Sequence, residues 1–145
     1  MKVFCDTNVL IAAFLTNYPQ HNAARPVLER IKARTDEGVA ATHSLAETYA
    51  VLTRLPGANQ VAANVAWQLI SANVIKNFSL IELSAKEYSK TLEQAAAKNL
   101  EGGKIYDALL LAAALKSGAE RIYTFNVSHF QNIADVNLRA RIVAP

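Results

Sequence analysis

Three acidic residues occupy positions from which their side chains could act together. Asp6 follows the apolar run of residues 3–5, Glu47 follows a second such run at residues 39–42, and Asp107 lies near the start of a long apolar stretch. Carboxylates that share a site repel one another unless a cation neutralises them. Oxygen ligands without cysteine or clustered histidine favour Mg²⁺ or Mn²⁺ over Zn²⁺. Such an ion stabilises the charge that develops on a phosphoryl group.

The elements that must position these residues alternate between strands and helices. Strands are predicted at residues 3–5, 39–42, 79–83, 121–125 and 141–143, and helices at 9–15, 22–34, 44–54, 59–73, 84–99 and 105–115. This alternation predicts one α/β domain with a central, mainly parallel sheet of about four to five strands, flanked by helices. Ligands bind at the carboxyl edge of such sheets, where Asp6 and Glu47 are expected.

Each of these polar positions also has a purely structural explanation. Asp6 could cap the following helix, and Glu47 could complete a capping box with Ser44. Asp107 could interact with the dipole of its helix, although its apolar neighbours would desolvate it unless it faces the sheet edge or a ligand. Asn126, at the end of the fourth strand, could be a turn residue. Only the combination of these residues indicates chemistry.

Four segments of the chain resemble, in order, the motifs of PIN domains, and especially those of VapC-type toxins from bacterial and archaeal toxin–antitoxin pairs. These segments are Asp6-Thr7-Asn8, Ser44-x-x-Glu47, Gly103-x-Ile105-Tyr106-Asp107-Ala108-Leu109 and Thr124-x-Asn126-x-x-His129-Phe130. The resemblance covers essentially the whole chain. It implies one PIN-like nuclease domain over residues 1–145 that cleaves RNA phosphodiester bonds as a Mg²⁺- or Mn²⁺-dependent endoribonuclease and toxin.

The resemblance also assigns roles to individual residues. Asp6, Glu47 and Asp107 match the family's metal-binding carboxylates, and Asn126 is expected to take part in catalysis. Supporting roles are expected for Thr7, Asn8, Ser44 and Thr124. Asn126 stands where many relatives carry a fourth aspartate, which removes one negative charge, but an amide oxygen can still bind a metal or hold a water.

The partners that the resemblance implies are an RNA substrate, a cognate small antitoxin protein and a second copy of the chain in a homodimer. Apolar residues of the first two helices are compatible with a groove for the antitoxin, although they could equally pack in the core. They are Leu10, Phe14, Leu15 and Val27.

A second class of function is a PIN-like domain that is catalytically weak or inactive and binds RNA or a protein partner. Asn126 keeps this alternative open. Two other phosphate-handling classes fit poorly. Haloacid-dehalogenase-like phosphatases need an aspartate where this chain has Asn8, and phosphoacceptor receiver domains need an acidic pair near the N-terminus and a lysine after the last strand.

Composition sets wider limits. The chain has 145 residues, a net charge of +3 and a pI near 9.1, which permits a polyanionic partner without requiring one. The nearby basic residues Arg25, Arg30, Lys32 and Arg34 could form either a phosphate-binding surface or a solvated helix face. Because there is neither a long apolar run nor an export signal, we expect a cytoplasmic protein without a membrane span.

Several finer features are also predicted. Pro26 is expected in the first turn of its helix, and Cys5 in the core as an inert thiol. The helix of residues 59–73 is expected to turn Val61, Val65, Leu69 and Trp67 inward. The three histidines, His21, His43 and His129, show no metal-binding spacing and are expected to be structural or surface residues. His129, three residues after Asn126, is the one that could touch substrate.

Overall fold

Five parallel strands form a single sheet in the computed structural model, which describes residues 1–145. The strands are β1 (Lys2–Cys5), β2 (Glu37–Ala41), β3 (Phe78–Ile81), β4 (Arg121–Tyr123) and β5 (Ile142–Val143). They lie in the order β3-β2-β1-β4-β5, and every neighbouring pair is parallel. The predicted α/β architecture with a mainly parallel sheet is therefore confirmed.

Helices connect the strands and cover both faces of the sheet. They are α1 (Thr7–Phe14), α2 (His21–Lys32), α3 (Thr42–Arg54), α4 (Ala63–Ile70), α5 (Ala85–Ala97), α6 (Lys104–Ser117), α7 (Val127–Ile133) and α8 (Val136–Arg139). A 3₁₀ turn at Gly57–Asn59 precedes α4, and a π-helical turn at Ser71–Ile75 continues it. No helix combines the length and apolar character that crossing a membrane requires.

The central strand β1 is buried on both of its faces. Phe4 packs in a core cluster with residues of α6, α7 and α8. Val3 and Cys5 point the other way, into a cluster formed with α1 and α2. Double-sided burial explains why the run is apolar without alternation. The Cys5 thiol lies in this core as predicted, and burial holds its pKa far above the usual range.

Helix α4 turns a different face toward the core than predicted. The predicted inward residues were Val61, Val65, Leu69 and Trp67. In the structure Ala66, Ile70 and Val74 are buried, whereas Val65 and Trp67 are exposed. Both stripes repeat every four residues, so helical periodicity alone does not decide which of them faces the core.

Two helix starts also differ from the prediction. Helix α2 begins at His21, so Pro26 lies in its second turn rather than its first. Helix α3 begins at Thr42 without any side-chain cap, which places Glu47 in the second turn and leaves no capping box with Ser44. These two side chains are therefore available for other contacts.

Other local predictions are confirmed. Ser84 and Glu87 form a capping box at the start of α5, with hydrogen bonds of 3.1 and 2.9 Å. Gly118 ends α6 with a φ of +70°, a conformation that favours glycine.

The basic residues near α2 do not form an open cationic surface. Arg25 pairs with Glu29 at 2.6 Å, and Arg30 pairs with Asp36 at 2.8 Å. Arg34 donates a hydrogen bond to the carbonyl of Asn77. Three of the four cations that could have formed a phosphate-binding surface thus have partners within the chain, which favours the alternative of a solvated helix face.

Candidate active site

The candidate site lies at the carboxyl edge of the sheet, beside the central strand. The chain leaves β1 for β2 on one side, whereas β4 lies on the other side of β1. A crevice is expected where connections diverge in this way, and ligands of open α/β sheets bind there. Asp6 directly follows β1 and Thr124 directly follows β4. The site is therefore placed by the topology of the sheet.

Asp6 is a buried carboxylate whose side chain does not cap α1. Its Oδ2 instead accepts a hydrogen bond of 2.7 Å from the Thr124 hydroxyl. Burial raises the pKa of Asp6 to about 7, although the Thr124 hydrogen bond opposes the shift. The negative charges of Asp107 and Glu47 contribute to this rise. The capping explanation for Asp6 is therefore wrong, because this carboxylate belongs to an acidic cluster.

Thr7 links the end of β1 to helix α3. Its hydroxyl lies 3.0 Å from Ser44 Oγ and 3.2 Å from Glu47 Oε2, so one donor is shared between the two acceptors. Both Thr7 and Ser44 are buried, whereas Glu47 is partly exposed. The contacts orient the Glu47 carboxylate toward the same edge as Asp6.

Asn8 and Thr124 join the ends of β1 and β4. The Asn8 amide donates to the Thr124 hydroxyl at 3.4 Å and accepts from the backbone N–H of Phe125 at 3.3 Å. The Thr124 hydroxyl also accepts from the backbone N–H of Asn126 at 3.0 Å. These hydrogen bonds fix the position of the Thr124 hydroxyl, which is the only hydroxyl that contacts Asp6.

Asp107 lies in the first turn of α6, and its nearest ionic partner is a histidine. His129 Nδ1 lies 3.0 Å from Asp107 Oδ2. Burial raises the pKa of Asp107, His129 opposes this shift, and the charge of Glu47 adds to it. Asp107 therefore faces the sheet edge, as its apolar neighbours require.

Two histidines lie beside candidate metal ligands: His129, the one expected to be able to touch substrate, and His43, which was expected to be a structural or surface residue. Besides His129, His43 lies with Nε2 3.6 Å from Glu47 Oε2 and stacks on the ring of Tyr106. Each histidine lies in the first turn of a helix that follows a strand, which is the signal that could have identified it. His21 is structural as predicted, because its Nδ1 lies 2.8 Å from the Ala12 carbonyl in the core.

Asn126 is exposed at the start of α7, and its side chain makes no capping hydrogen bond. Only its backbone N–H contacts the site, through Thr124. A catalytic role for the Asn126 amide therefore stays a prediction.

The acidic residues fit a hard divalent ion by chemical type and by charge. Asp6, Glu47 and Asp107 offer only oxygen donors, which suit Mg²⁺ or Mn²⁺. Burial is the main cause of both raised pKa values, and repulsion from a neighbouring carboxylate, which a cation would relieve, adds to each. However, no three side chains of His, Cys, Asp or Glu lie close enough together to hold an ion. Glu47 is turned toward Thr7 and Asp107 toward His129, so ion binding requires these carboxylates to converge.

Comparison with known proteins identifies the class. A family model described as the PIN domain matches residues 3–136. The chain therefore belongs to the PIN-domain family, as the motifs had indicated.

Particular relatives carry more specific names. Ribonuclease VapC40 of Mycobacterium tuberculosis is 34% identical over 116 residues, which cover 79% of this chain and 80% of the relative. Ribonuclease VapC27 of the same species is 34% identical over 115 residues, covering 79% and 78%.

Two solved structures share the fold. The crystal structure of M. tuberculosis VapC20, described as a sarcin–ricin loop cleaving toxin, matches with a TM-score of 0.72 at 19% identity and covers 99% of both chains. VapBC2 from Rickettsia felis, bound to a DNA fragment from its promoter, matches with a TM-score of 0.68 at 18% identity, covering 99% of this chain and 98% of the other. At these identities the likeness concerns the fold alone.

Proposed function

We propose that the protein is an endoribonuclease that hydrolyses RNA phosphodiester bonds with a divalent ion, Mg²⁺ or Mn²⁺, and acts as the toxin of a toxin–antitoxin pair. One observation carries the proposal. A buried carboxylate, Asp6, is held by the Thr124 hydroxyl at 2.7 Å at the carboxyl edge of the sheet, where the charges of Asp107 and Glu47 contribute to its raised pKa. The relatives named ribonucleases support the same reaction class.

In this proposal Asp6, Glu47 and Asp107 hold the ion. When bound, the ion supplies the positive charge that stabilises a phosphate group as negative charge develops on it. The remaining residues position the carboxylates: Thr124 fixes Asp6, and Thr7 fixes Glu47. Without a cation the acidic cluster would repel RNA phosphates, so the proposal requires a metal for both binding and cleavage.

We further propose a small antitoxin and a second copy of the chain as protein partners. The proposal of an antitoxin partner depends on the proposal that this protein is a toxin. The surface predicted for it must be corrected, because Leu10 and Val27 are buried in the core and cannot contact a partner. Phe14 and Leu15 remain partly exposed at the end of α1 and are the members of that set still able to contact an antitoxin.

A second candidate is a PIN-like domain that binds RNA or protein with little or no cleavage. The separation of the carboxylates into a Glu47–Thr7 contact and an Asp107–His129 contact favours this alternative, as does the amide at position 126. It predicts RNA binding that is independent of Mg²⁺ or Mn²⁺.

The experiment that separates the two candidates is incubation of total RNA with the purified, antitoxin-free protein. Separate reactions contain Mg²⁺, Mn²⁺ or EDTA. Discrete products that appear with a divalent ion and vanish with EDTA support the endoribonuclease. Intact RNA in all three reactions, with RNA binding retained, supports the binding domain.

A further inference from the structure

Tyr106 presents an aromatic ring to solvent at the candidate active site. The residue is 51% exposed and immediately precedes Asp107 in the first turn of α6. Its neighbours Leu109 and Leu110 supply the buried face of this helix, so the fold does not require a large ring at position 106. An exposed aromatic ring next to a candidate metal ligand is available to stack against a substrate.

The imidazole ring of His43 packs against one face of the Tyr106 ring. The two ring centres are 5.4 Å apart and the planes differ by only 6°, so the rings form a parallel stack. His43 Nε2 also lies 3.6 Å from Glu47 Oε2. The stacked pair therefore joins the first turns of α3 and α6. One candidate metal ligand, Glu47, lies beside His43, and another, Asp107, follows Tyr106 in the chain.

A cavity of about 280 Å³ is lined in part by His43. Its walls include Ala41 and Ile81, the last residues of β2 and β3, and its lining is mostly apolar. The cavity, whose lining includes the charged residue Glu82, and the stacked pair thus extend the site along the carboxyl edge with mostly apolar and aromatic surface.

We propose that Tyr106, supported by His43, is a stacking platform for an unpaired RNA base next to the cleaved phosphate. The inference rests on the proposed function and specifies its substrate as RNA that is single-stranded at the cleavage site. The acidic cluster disfavours phosphates, and Arg30 and Arg34 lie at the opposite, amino edge of the sheet, where they contact Asp36 and Asn77 just before β2 and β3. Affinity must therefore come partly from the bases, whose faces are accessible only where the RNA is unpaired.

The test measures binding without relying on cleavage. An RNA strand with a single 2-aminopurine and phosphorothioate linkages, which resist hydrolysis, is titrated with Mg²⁺ present into the wild-type protein, the parent of the variants below, and quenching of the fluorescent base reports stacking. The same strand annealed to its complement is the paired control. Tyr106→Leu removes the ring but keeps apolar bulk, and Tyr106→Phe keeps the ring. Tyr49→Leu is a matched control, since Tyr49 is 40% exposed on α3 and lies about 200° around that helix from Glu47.

We expect the single strand, but not the duplex, to be quenched by the parent and by Tyr106→Phe. Tyr106→Leu should weaken single-strand binding roughly 5- to 150-fold, the range that corresponds to the loss of one base–aromatic stack, whereas Tyr49→Leu should bind as the parent does. Thermal unfolding of each variant shows whether it is folded.

Two results would overturn the inference: no quenching by the folded parent protein, or unchanged binding by folded Tyr106→Leu. Neither result bears on whether the wild-type protein cleaves total RNA. Conversely, ring-dependent binding by a protein that never cleaves RNA would support the platform and reject the nuclease.

Discussion

The Thr124 hydroxyl lies 2.7 Å from Oδ2 of Asp6, although the two residues are 118 positions apart in the chain. Both side chains are buried, and they follow the adjacent strands β4 and β1. The hydrogen bond therefore spans the point where the connections of the sheet diverge. It stabilises the ionised form of a carboxylate that burial otherwise keeps protonated.

Replacing Thr124 with valine should leave the buried Asp6 carboxylate without its side-chain donor. We expect the free energy of unfolding at pH 7 to fall by about 1–3 kcal/mol, as for other buried groups that lose a partner, and the pKa of Asp6 to rise further. Urea unfolding measures the first effect. Thr124→Ser, which keeps the hydroxyl, is the control, and equal stability of the valine variant and the wild type would show that the bond contributes nothing.

The stability of the metal-free protein should depend on the ionisation of Asp6. The pKa of this group is about 7 in the folded protein and 3.8 in the reference state, so between these values the folded protein binds more protons than the unfolded chain. Stability must therefore decrease as the pH rises from about 4 to about 7 and level off above that. At about 1.4 kcal/mol per pKa unit, the loss is of the order of 4 kcal/mol.

The comparison that isolates Asp6 is with Asp6→Asn, which remains uncharged and can still accept the Thr124 hydrogen bond. Urea unfolding in EDTA at several pH values should show the wild type losing stability relative to the variant as the pH rises. A constant difference across this range would contradict the raised pKa. Asp36 and Glu87, whose pKa values are lowered, affect both proteins equally.

Binding of Mn²⁺ should become tighter as the pH rises toward 7, because the ion must displace a proton from Asp6. For a single proton with a pKa of about 7, the affinity should change up to roughly tenfold per pH unit below that value. Calorimetric titration at pH 5.5, 6.5 and 7.5 measures this change. Affinity that is independent of pH would place the ion away from Asp6.

The strands of the sheet, and the position of Asp6 at the end of the central strand, were predictable because they depend on local patterns. A run buried on both faces, followed by Asp6-Thr7-Asn8, marks the carboxyl end of a central strand in any parallel sheet. The capping box of Ser84 and the terminal Gly118 are likewise local, since each is defined by contacts within one turn. For these features, neighbours in sequence determine the structure.

The remaining features depend on contacts between distant segments. Helix α4 offers two equally spaced apolar stripes, and packing against α3 selects the one with Ala66 and Ile70. Ser44 and Glu47 match a capping box, but Thr7, 37 and 40 residues away, contacts both side chains instead. The Asp107–His129 contact likewise joins two helices, so no spacing within the sequence indicates it.

Gly38 tests the packing of α2 on the sheet independently of the site. A Cβ atom at this position would lie 2.6 Å from Ile31 Cγ2 and 3.0 Å from Phe78 Cδ1. We expect Gly38→Ala to destabilise the fold by about 1–3 kcal/mol, as overpacking of a core usually does. Gly103→Ala meets no atom within 4 Å and is the control for stability in urea. Equal stability of the two variants would contradict this packing.

The most direct test of the proposed nuclease is the rate of RNA cleavage by three aspartate variants in Mg²⁺ or Mn²⁺. Asp6→Asn and Asp107→Asn change candidate metal ligands, whereas Asp135→Asn changes a 75%-exposed aspartate that pairs with Lys98 on the surface. We predict that the first two variants, folded and free of antitoxin, lose more than about 100-fold in rate, exceeding the 10- to 100-fold typical of residues that only support metal ligands. Asp135→Asn should cleave as the wild type does. Full activity in folded Asp6→Asn or Asp107→Asn would contradict the proposed site.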